Sequence, residues 1–348
     1  MLPEYLITTS LADQYLKEFF QSHNFSKIGI LVDENTEVHC LPLINNSLPS
    51  PFIFKIKSGE IYKTLDTCKK IWDQMTDHGF DRHSLIINLG GGVIGDMGGF
   101  CASTFKRGIQ FINIPTTLLS QVDASIGGKL GIDYGSFKNH IGIFQDPLRV
   151  IIDDRFLSTL PEKEIKSGYA EVIKHSLISD KNHWFELQKR EVSTIAWKPI
   201  IKHSIAIKSR IVLEDPYESG LRKILNFGHS LGHAVESFFL ESGTPLLHGE
   251  AIAIGMIMEC KLSEKLCNFP VRDLENIEEY LIQTYGHYTI GRENYNNIFK
   301  RTLQDKKNKG DQLLAILLSE IGEPTEKEIK ETDILQAIEY YDNIQKNV

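Results

Sequence analysis

In the second half of the chain, Asn226-Phe227-Gly228-His229-Ser230-Leu231-Gly232-His233 sets two imidazoles four residues apart, on one face of any helix formed there, and Glu236 follows a turn later. Downstream comes His248-Gly249-Glu250, and upstream Ala170-Glu171-Val172-Ile173-Lys174-His175, whose Glu171 and Lys174 share a helical face. A lone histidine is more often structural than functional. Three histidines and a carboxylate beside small glycines instead point to a divalent metal site. Spacing alone selects His229 and His233 as the ligand pair and leaves His175 open. Residue 230 is Ser, so the His-Glu-x-x-His pattern of a zinc hydrolase is absent.

A second chemical signal is Leu89-Gly90-Gly91-Gly92-Val93-Ile94-Gly95-Asp96-Met97-Gly98-Gly99, placed after an apolar strand and before a helical pattern. Glycines let backbone amides approach a phosphate, and the helix N-terminus adds its positive end. Six glycines in ten residues exceed what a tight turn needs, which points to a dinucleotide phosphate site. The spacing departs from G-x-G-x-x-G, so this is not an ordinary Rossmann fingerprint. Asp96 serves either a polar group of the cofactor or the helix cap. Gln121 to Lys129 forms another glycine-rich stretch, followed by Lys138-Asn139; with Arg107 and Thr116-Thr117 it suggests an anion site. Lys208, Arg222 and the pair Lys306-Lys307, taken singly, read as solvated surface cations.

These groups need elements to hold them. The first 155 residues alternate β-branched runs with helical patterns, the signature of an α/β layer with a mostly parallel sheet. Strands are expected at Lys27 to Val32, Ser84 to Leu89, Phe111 to Ile114 and Arg149 to Ile152. Ile61, Leu65, Cys68, Ile71, Trp72 and Met75 mark one helix face, with Ser58-Gly59 at its start. After about Phe156 the apolar spacing becomes helical nearly to the C-terminus. The expected organisation is therefore a Rossmann-like α/β domain over 1–155 and an all-α domain over 156–348, divided near Pro161. Asp333 to Gln345, with Ile334, Ile338 and Tyr341, reads as an amphipathic helix packed on the body.

Composition excludes several classes. The 348 residues are 41% hydrophobic and 24% charged, ordinary for a globular protein. A net charge of -8 gives no global attraction for nucleic acid or anionic lipid. The longest apolar runs, Ala251 to Met258 and Leu313 to Leu318, fall far short of the ~20 residues of a membrane helix. Met1-Leu2-Pro3-Glu4-Tyr5 lacks a basic region leading into an apolar core, so a cytoplasmic location is expected. Five scattered cysteines without a Cys-x-x-Cys pair read as buried or inert thiols.

Six collinear segments resemble the 3-dehydroquinate synthases: Gly90 to Asp96, Ile114 to Leu119, Gln121 to Lys129, Ser167 to Lys174, Leu225 to His233 and His248 to Glu250. The resemblance runs from about Asp33 to Gly310. It implies a dehydroquinate synthase-like fold, bound NAD, a divalent metal (Zn2+ or Co2+) and a homodimer. The implied activity converts the sugar phosphate 3-deoxy-D-arabino-heptulosonate 7-phosphate to 3-dehydroquinate and phosphate, in the shikimate pathway. By resemblance Glu171, His229 and His248 are the metal ligands, while His233 moves from ligand to substrate phosphate. Asp33, Asn35, Ser58, Gly59, Glu60, Lys63, Gly91, Gly92, Val93, Ile94, Gly95, Asp96, Thr116, Thr117, Lys129, Lys138, Phe156 and Thr159 correspond to the NAD site. Asp123, Lys129, Lys174, Asn226 and His233 correspond to catalytic positions. Asn139, Lys208, Arg222 and one of Lys306 or Lys307 correspond to substrate contacts. Arg107 is similar to an arginine that reaches the neighbouring subunit's phosphate site. The chain departs from the family at Leu130, Asp133 and the Tyr134 to Phe137 insert.

The implied chemistry oxidises a ring carbinol transiently, eliminates phosphate with the substrate phosphate as base, re-reduces, opens the ring and closes a carbocycle by an aldol step. Positioning and electrostatics dominate, in an expected interdomain cleft. The alternatives are a sister cyclase acting on sedoheptulose 7-phosphate or glucose 6-phosphate, a polyol dehydrogenase with net redox, and a noncatalytic relative. Arg222, Lys208, Asn226 and His233 favour a carboxylate-bearing substrate, and the full ligand set disfavours a noncatalytic role.

Overall fold

The computed structural model describes residues 2–135, 137–303 and 313–344. Its strands are β1 (Leu6–Thr9), β2 (Ile28–Val32), β3 (Phe52–Lys55), β4 (Leu85–Gly90), β5 (Gln110–Pro115), β6 (Lys129–Tyr134), β7 (Phe137–Phe144), β8 (Arg149–Asp153), β9 (Leu313–Glu320) and β10 (Glu323–Ile329). Its helices are α1 (Ala12–Ser22), α2 (Glu34–His39), α3 (Leu65–Asp77), α4 (Gly92–Thr104), α5 (Glu162–Ser179), α6 (Lys181–Leu187), α7 (Trp197–Glu214), α8 (His229–Glu241), α9 (His248–Cys267), α10 (Val271–Tyr285), α11 (Tyr295–Thr302) and α12 (Glu331–Asp342). The chain divides into two compact units, Met1–Ile165 with Trp197–Tyr217, and Lys166–Ala196 with Glu218–Val348.

In the first unit six parallel strands run in the order β1-β8-β5-β4-β2-β3. Alternate side chains feed opposite faces. Leu85, Ile87 and Leu89 of β4 pack with α1, whereas Ile86 packs with α3 and α4. Both faces are covered, so the central strands are apolar at nearly every position, as buried parallel strands must be. The antiparallel hairpin β6-β7 adds Leu130 and Ile132 to the α4 side.

The four expected strands are present. The reading missed β1 and β3 at the two sheet edges, and the β6-β7 hairpin, whose short or polar segments leave little alternation to read. Helix α3 starts at Leu65, not at Ser58, because the Thr64 side chain accepts from the Thr67 amide and caps it there.

The second unit is helical around α9, in which Ala251 through Met258 are all buried, and α8, α10, α12 and β9 pack against it. Ile334, Ile338 and Tyr341 of α12 are fully buried, as the amphipathic pattern predicts. The expectation of an all-α second domain needs correction, because β9 and β10 form an antiparallel hairpin. A short continuous apolar run such as Leu313 to Leu318 carries no periodicity that separates strand from helix. The two compact units meet in the chain between Ile165 and Lys166, inside α5, and α7 belongs to the first.

Candidate active site

The glycine-rich segment lies where β4 ends and α4 begins, at the carboxyl end of the sheet. Its glycines divide into two roles. A Cβ on Gly98 would sit 2.0 Å from Asn88 Oδ1, and one on Gly99 would sit 2.6 Å from Leu130 Cδ2, so this pair lets α4 press on β4 and on the hairpin. Gly95 instead faces open space, and Gly91 and Gly92 make only ordinary or slightly tight approaches to Thr117 and Ala124. The first turn of α4 therefore exposes backbone amides into a pocket lined by Gly90, Gly91, Gly92, Gly95, Asp96 and Lys129 among others. Val93 and Ile94 belong to this turn, Ile94 pointing into the core.

Elsewhere in the first unit the expected polar residues form bonded groups. Asp33, at the end of β2, accepts from the Asn35 and Thr36 amides at 3.0 and 2.8 Å and so caps α2. Asn35 Nδ2 donates to Ser58 Oγ at 3.2 Å, and the Ser58 amide donates to Glu34. Gly59 has φ +115, which opens the short turn carrying Glu60. Lys63, only 3% exposed, donates to Asp96 Oδ2 and Asn139 Oδ1, both at 2.6 Å, with Glu60 at 3.9 Å. Burial works against the ammonium, but Asp96 and Glu60 outweigh it and raise the Lys63 pKa. Burial likewise pushes the Asp96 carboxyl up, against the pull of Lys63.

Thr116 is buried at the end of β5, and Thr117 Oγ1 lies 2.8 Å from Ser120 Oγ. Asp123 receives Lys208 Nζ on both its carbonyl and its carboxylate, at 2.6 and 2.8 Å. Lys129, Lys138 and Thr159 are exposed. Phe156 packs in the core with Leu89 and Ile112. Arg107 is exposed on a left-handed backbone (φ 72) at the end of α4.

The second unit assembles the histidines. Gly249 on α9 lies against Ser167 of α5, where a Cβ would be 2.2 Å from the Ser167 carbonyl oxygen. Gly255 crosses α8 so tightly that its Cβ would be 2.0 Å from Gly228 O and 2.6 Å from Gly232 N. Buried Glu259 of α9 accepts the Gly228 and Leu231 amides at 2.6 and 3.2 Å, fixing the start of α8. Three helices are thereby drawn together at Glu171, His229 and His248. His229 Nε2 and His248 Nε2 stand 3.4 and 3.5 Å from Glu171 Oε1. The three ligand atoms lie within 4.8 Å of one another.

Two imidazoles and a carboxylate are the donor set of an open catalytic zinc site, so these residues fit a divalent metal. Burial alone would push the Glu171 carboxyl up, yet its ion pair with Lys174 and the neighbouring His229 hold it well below the usual carboxylate range. Burial works against charge on His248, but Glu171 and Glu236 outweigh it and raise its pKa to about 9. A buried charge cluster adds little net stability and concentrates at functional sites.

The pair chosen by spacing, His229 and His233, falls into two different clusters of possible ligands. The two rings stand nearly perpendicular with centroids 5.1 Å apart, and His233 groups with Glu236 and His248 instead. An i, i+4 relation brings two side chains near each other without aiming their nitrogens at one point. His175 is fully buried on α5. Arg222, 2% exposed, lies just before α8, and Asn226 Nδ2 donates to Glu218 Oε1 at 2.6 Å. Sequence reasoning passed over Glu218 and Glu259, because an isolated glutamate carries no spacing signal. Lys306 and Lys307 lie outside the described residues.

Comparison with known proteins gives this constellation a family. Residues 53–167 match the model described as 3-dehydroquinate synthase N-terminal, and residues 168–308 that of 3-dehydroquinate synthase C-terminal. The 3-dehydroquinate synthase of Parabacteroides distasonis is 40% identical over 332 residues, covering 94% of each chain. That of Clostridium botulinum is 41% identical over 327 residues, covering 91% of this chain and 92% of that one. Among solved structures, 2-deoxy-scyllo-inosose synthase complexed with carbaglucose-6-phosphate, NAD+ and Co2+ superposes with a TM-score of 0.83 at 26% identity, covering 97% of this chain and 96% of that one. Matched in both halves and at this identity over nearly its whole length, the chain belongs to the 3-dehydroquinate synthase family.

Proposed function

We propose that the chain converts 3-deoxy-D-arabino-heptulosonate 7-phosphate to 3-dehydroquinate and phosphate, as an NAD- and divalent-metal-dependent lyase of the shikimate pathway. The observation that carries this reading is the convergence of Glu171, His229 and His248 in a chain 40% identical over 332 residues to a protein of that name. When bound, NAD supplies a hydride acceptor regenerated within each turnover, and the metal supplies a Lewis acid. Glu171, His229 and His248 would hold the metal, Zn2+ or Co2+.

The open first turn of α4, Gly91 to Asp96, offers amides to the NAD pyrophosphate, with Thr116, Thr117, Lys129 and Lys138 nearby in sequence to the same loops. Asp33, Asn35 and Ser58 offer hydrogen bonds to a ribose, and Lys63 holds the Asp96 carboxyl in place. The buried cations Lys174, Lys208 and Arg222 orient the substrate carboxylate and ring oxygens, with Asp123 and Asn226 as polar partners. Lys129, Asn139, His233 and one of Lys306 or Lys307 grip the phosphate and stabilise charge as it leaves. The reading includes a cytoplasmic homodimer in which Arg107 serves the partner subunit. Its exposed, left-handed setting and the free state of all five cysteines support these points.

The test is phosphate release from the heptulosonate phosphate by Zn2+-loaded protein with NAD, with sedoheptulose 7-phosphate and glucose 6-phosphate as competing substrates. Release is expected only with the heptulosonate, and it should fall by at least about 1000-fold in Glu171→Ala or after chelation. Preference for either other sugar phosphate would move the chain to a sister cyclase.

A further inference from the structure

The two histidines facing Glu171 each turn their second ring nitrogen to a different acceptor. His229 Nδ1 lies 3.1 Å from the Phe227 carbonyl oxygen, which can only accept, so Nδ1 carries a proton while Nε2 faces Glu171. On His248 the same place is taken by a side chain. Its Nδ1 lies 3.6 Å from Glu236 Oε2, while its Nε2 faces Glu171. Glu236 is 9% exposed, on α8 two turns beyond His229, and so reaches across from the helix of one ligand to the ring of another. The separation is longer than a hydrogen bond and is that of an ion pair.

We propose that Glu236 is the positioning residue for His248, accepting its Nδ1–H so that Nε2 is presented to the metal in a fixed tautomer and orientation. Carboxylates in this outer position fix ligand geometry, and their loss typically weakens metal affinity 10–100-fold. The inference rests on the metal reading above. A competing arrangement is that Glu236 is itself a ligand, since His233, Glu236 and His248 also bring three ligand atoms within 4.8 Å of one another. In that case a second ion would share His248.

The experiment is Co2+ binding to the chelator-stripped full chain, read by competition with a coloured chelator and by the visible absorption of bound Co2+. It compares wild type, Glu236→Ala, Glu236→Gln and, as a control, Glu241→Gln, whose side chain pairs with Arg301 at the far end of the same helix. The expectation is one equivalent bound to wild type, affinity weakened by about 10–100-fold in the alanine variant and by about 3–10-fold in the glutamine variant, whose amide oxygen still accepts Nδ1–H. A changed Co2+ absorption envelope should accompany both, and the control should match wild type. Affinity within about twofold of wild type in a folded Glu236→Ala, or a loss in Glu236→Gln as large as in Glu236→Ala, overturns the proposal. So does a stoichiometry of two in wild type that falls to one in the alanine variant, which would make Glu236 a ligand. Wild type that binds no Co2+ overturns the metal reading itself, and thereby separates the two failures.

Discussion

Lys63 illustrates how one side chain ties the glycine-rich loop to the hairpin. Its ammonium is almost wholly buried and bonded to Asp96 of the glycine loop and Asn139 of the hairpin. Removing one partner of a buried pair leaves the other charge uncompensated, which costs far more than the pair contributes. Lys63→Met should therefore destabilise the protein by about 3 kcal/mol in urea unfolding, and the double variant Lys63→Met/Asp96→Asn should recover most of that loss. Additive losses in the double variant would deny the coupling. At this scale the sequence was informative where residue type and spacing coincide, as in the glycine run before α4. It was not informative about which nitrogen of a histidine faces which neighbour. His229 and His233 satisfy the ligand spacing, but the third dimension gives the partnership with Glu171 to His248, from another helix.

Between elements, the metal-type cluster depends on helices that approach more closely than side chains normally allow. Gly255 presses on the backbone of Gly228 and Gly232, where the atoms that would meet a new methyl group are main chain and cannot swing aside. Gly255→Ala should push α8 off α9, lowering stability by about 2–3 kcal/mol and weakening Co2+ binding together. Gly243→Ala makes a control of different kind. That residue has φ +82 and an added Cβ would meet nothing within 4 Å, so the substitution strains the backbone by about 1 kcal/mol and leaves Co2+ affinity unchanged. Equal effects of the two on metal binding would contradict the crossing as the device that positions His229. The central strands of the parallel sheet were legible because burial on both faces demands continuous β-branched runs. The edge strands β1 and β3 and the hairpin β9-β10 were not, because four-residue or partly exposed strands satisfy no distinctive period.

For the whole molecule, the homodimer reading makes a statement about where Arg107 acts. Arg107→Ala and Glu171→Ala should each be nearly inactive as purified proteins. If Arg107 serves the partner subunit, mixing them under subunit exchange should restore about one quarter of wild-type activity, since half the dimers are hybrids and each hybrid keeps one intact site. No restoration, with hybrids verified by mass, would place Arg107 at its own subunit's site. Net charge, composition and the absence of any helix long and apolar enough to cross a membrane among the described residues agree with a small-molecule enzyme without specifying one. The specification comes from the site and the family together. The most direct measurement is a stoichiometry: phosphate and 3-dehydroquinate formed from a known amount of the heptulosonate phosphate by metal-loaded protein with NAD, with absorbance at the NADH wavelength followed throughout. Equal amounts of the two products with no accumulated NADH is the predicted result. NADH rising in step with substrate consumed, and no phosphate released, would contradict it and make the chain a net dehydrogenase.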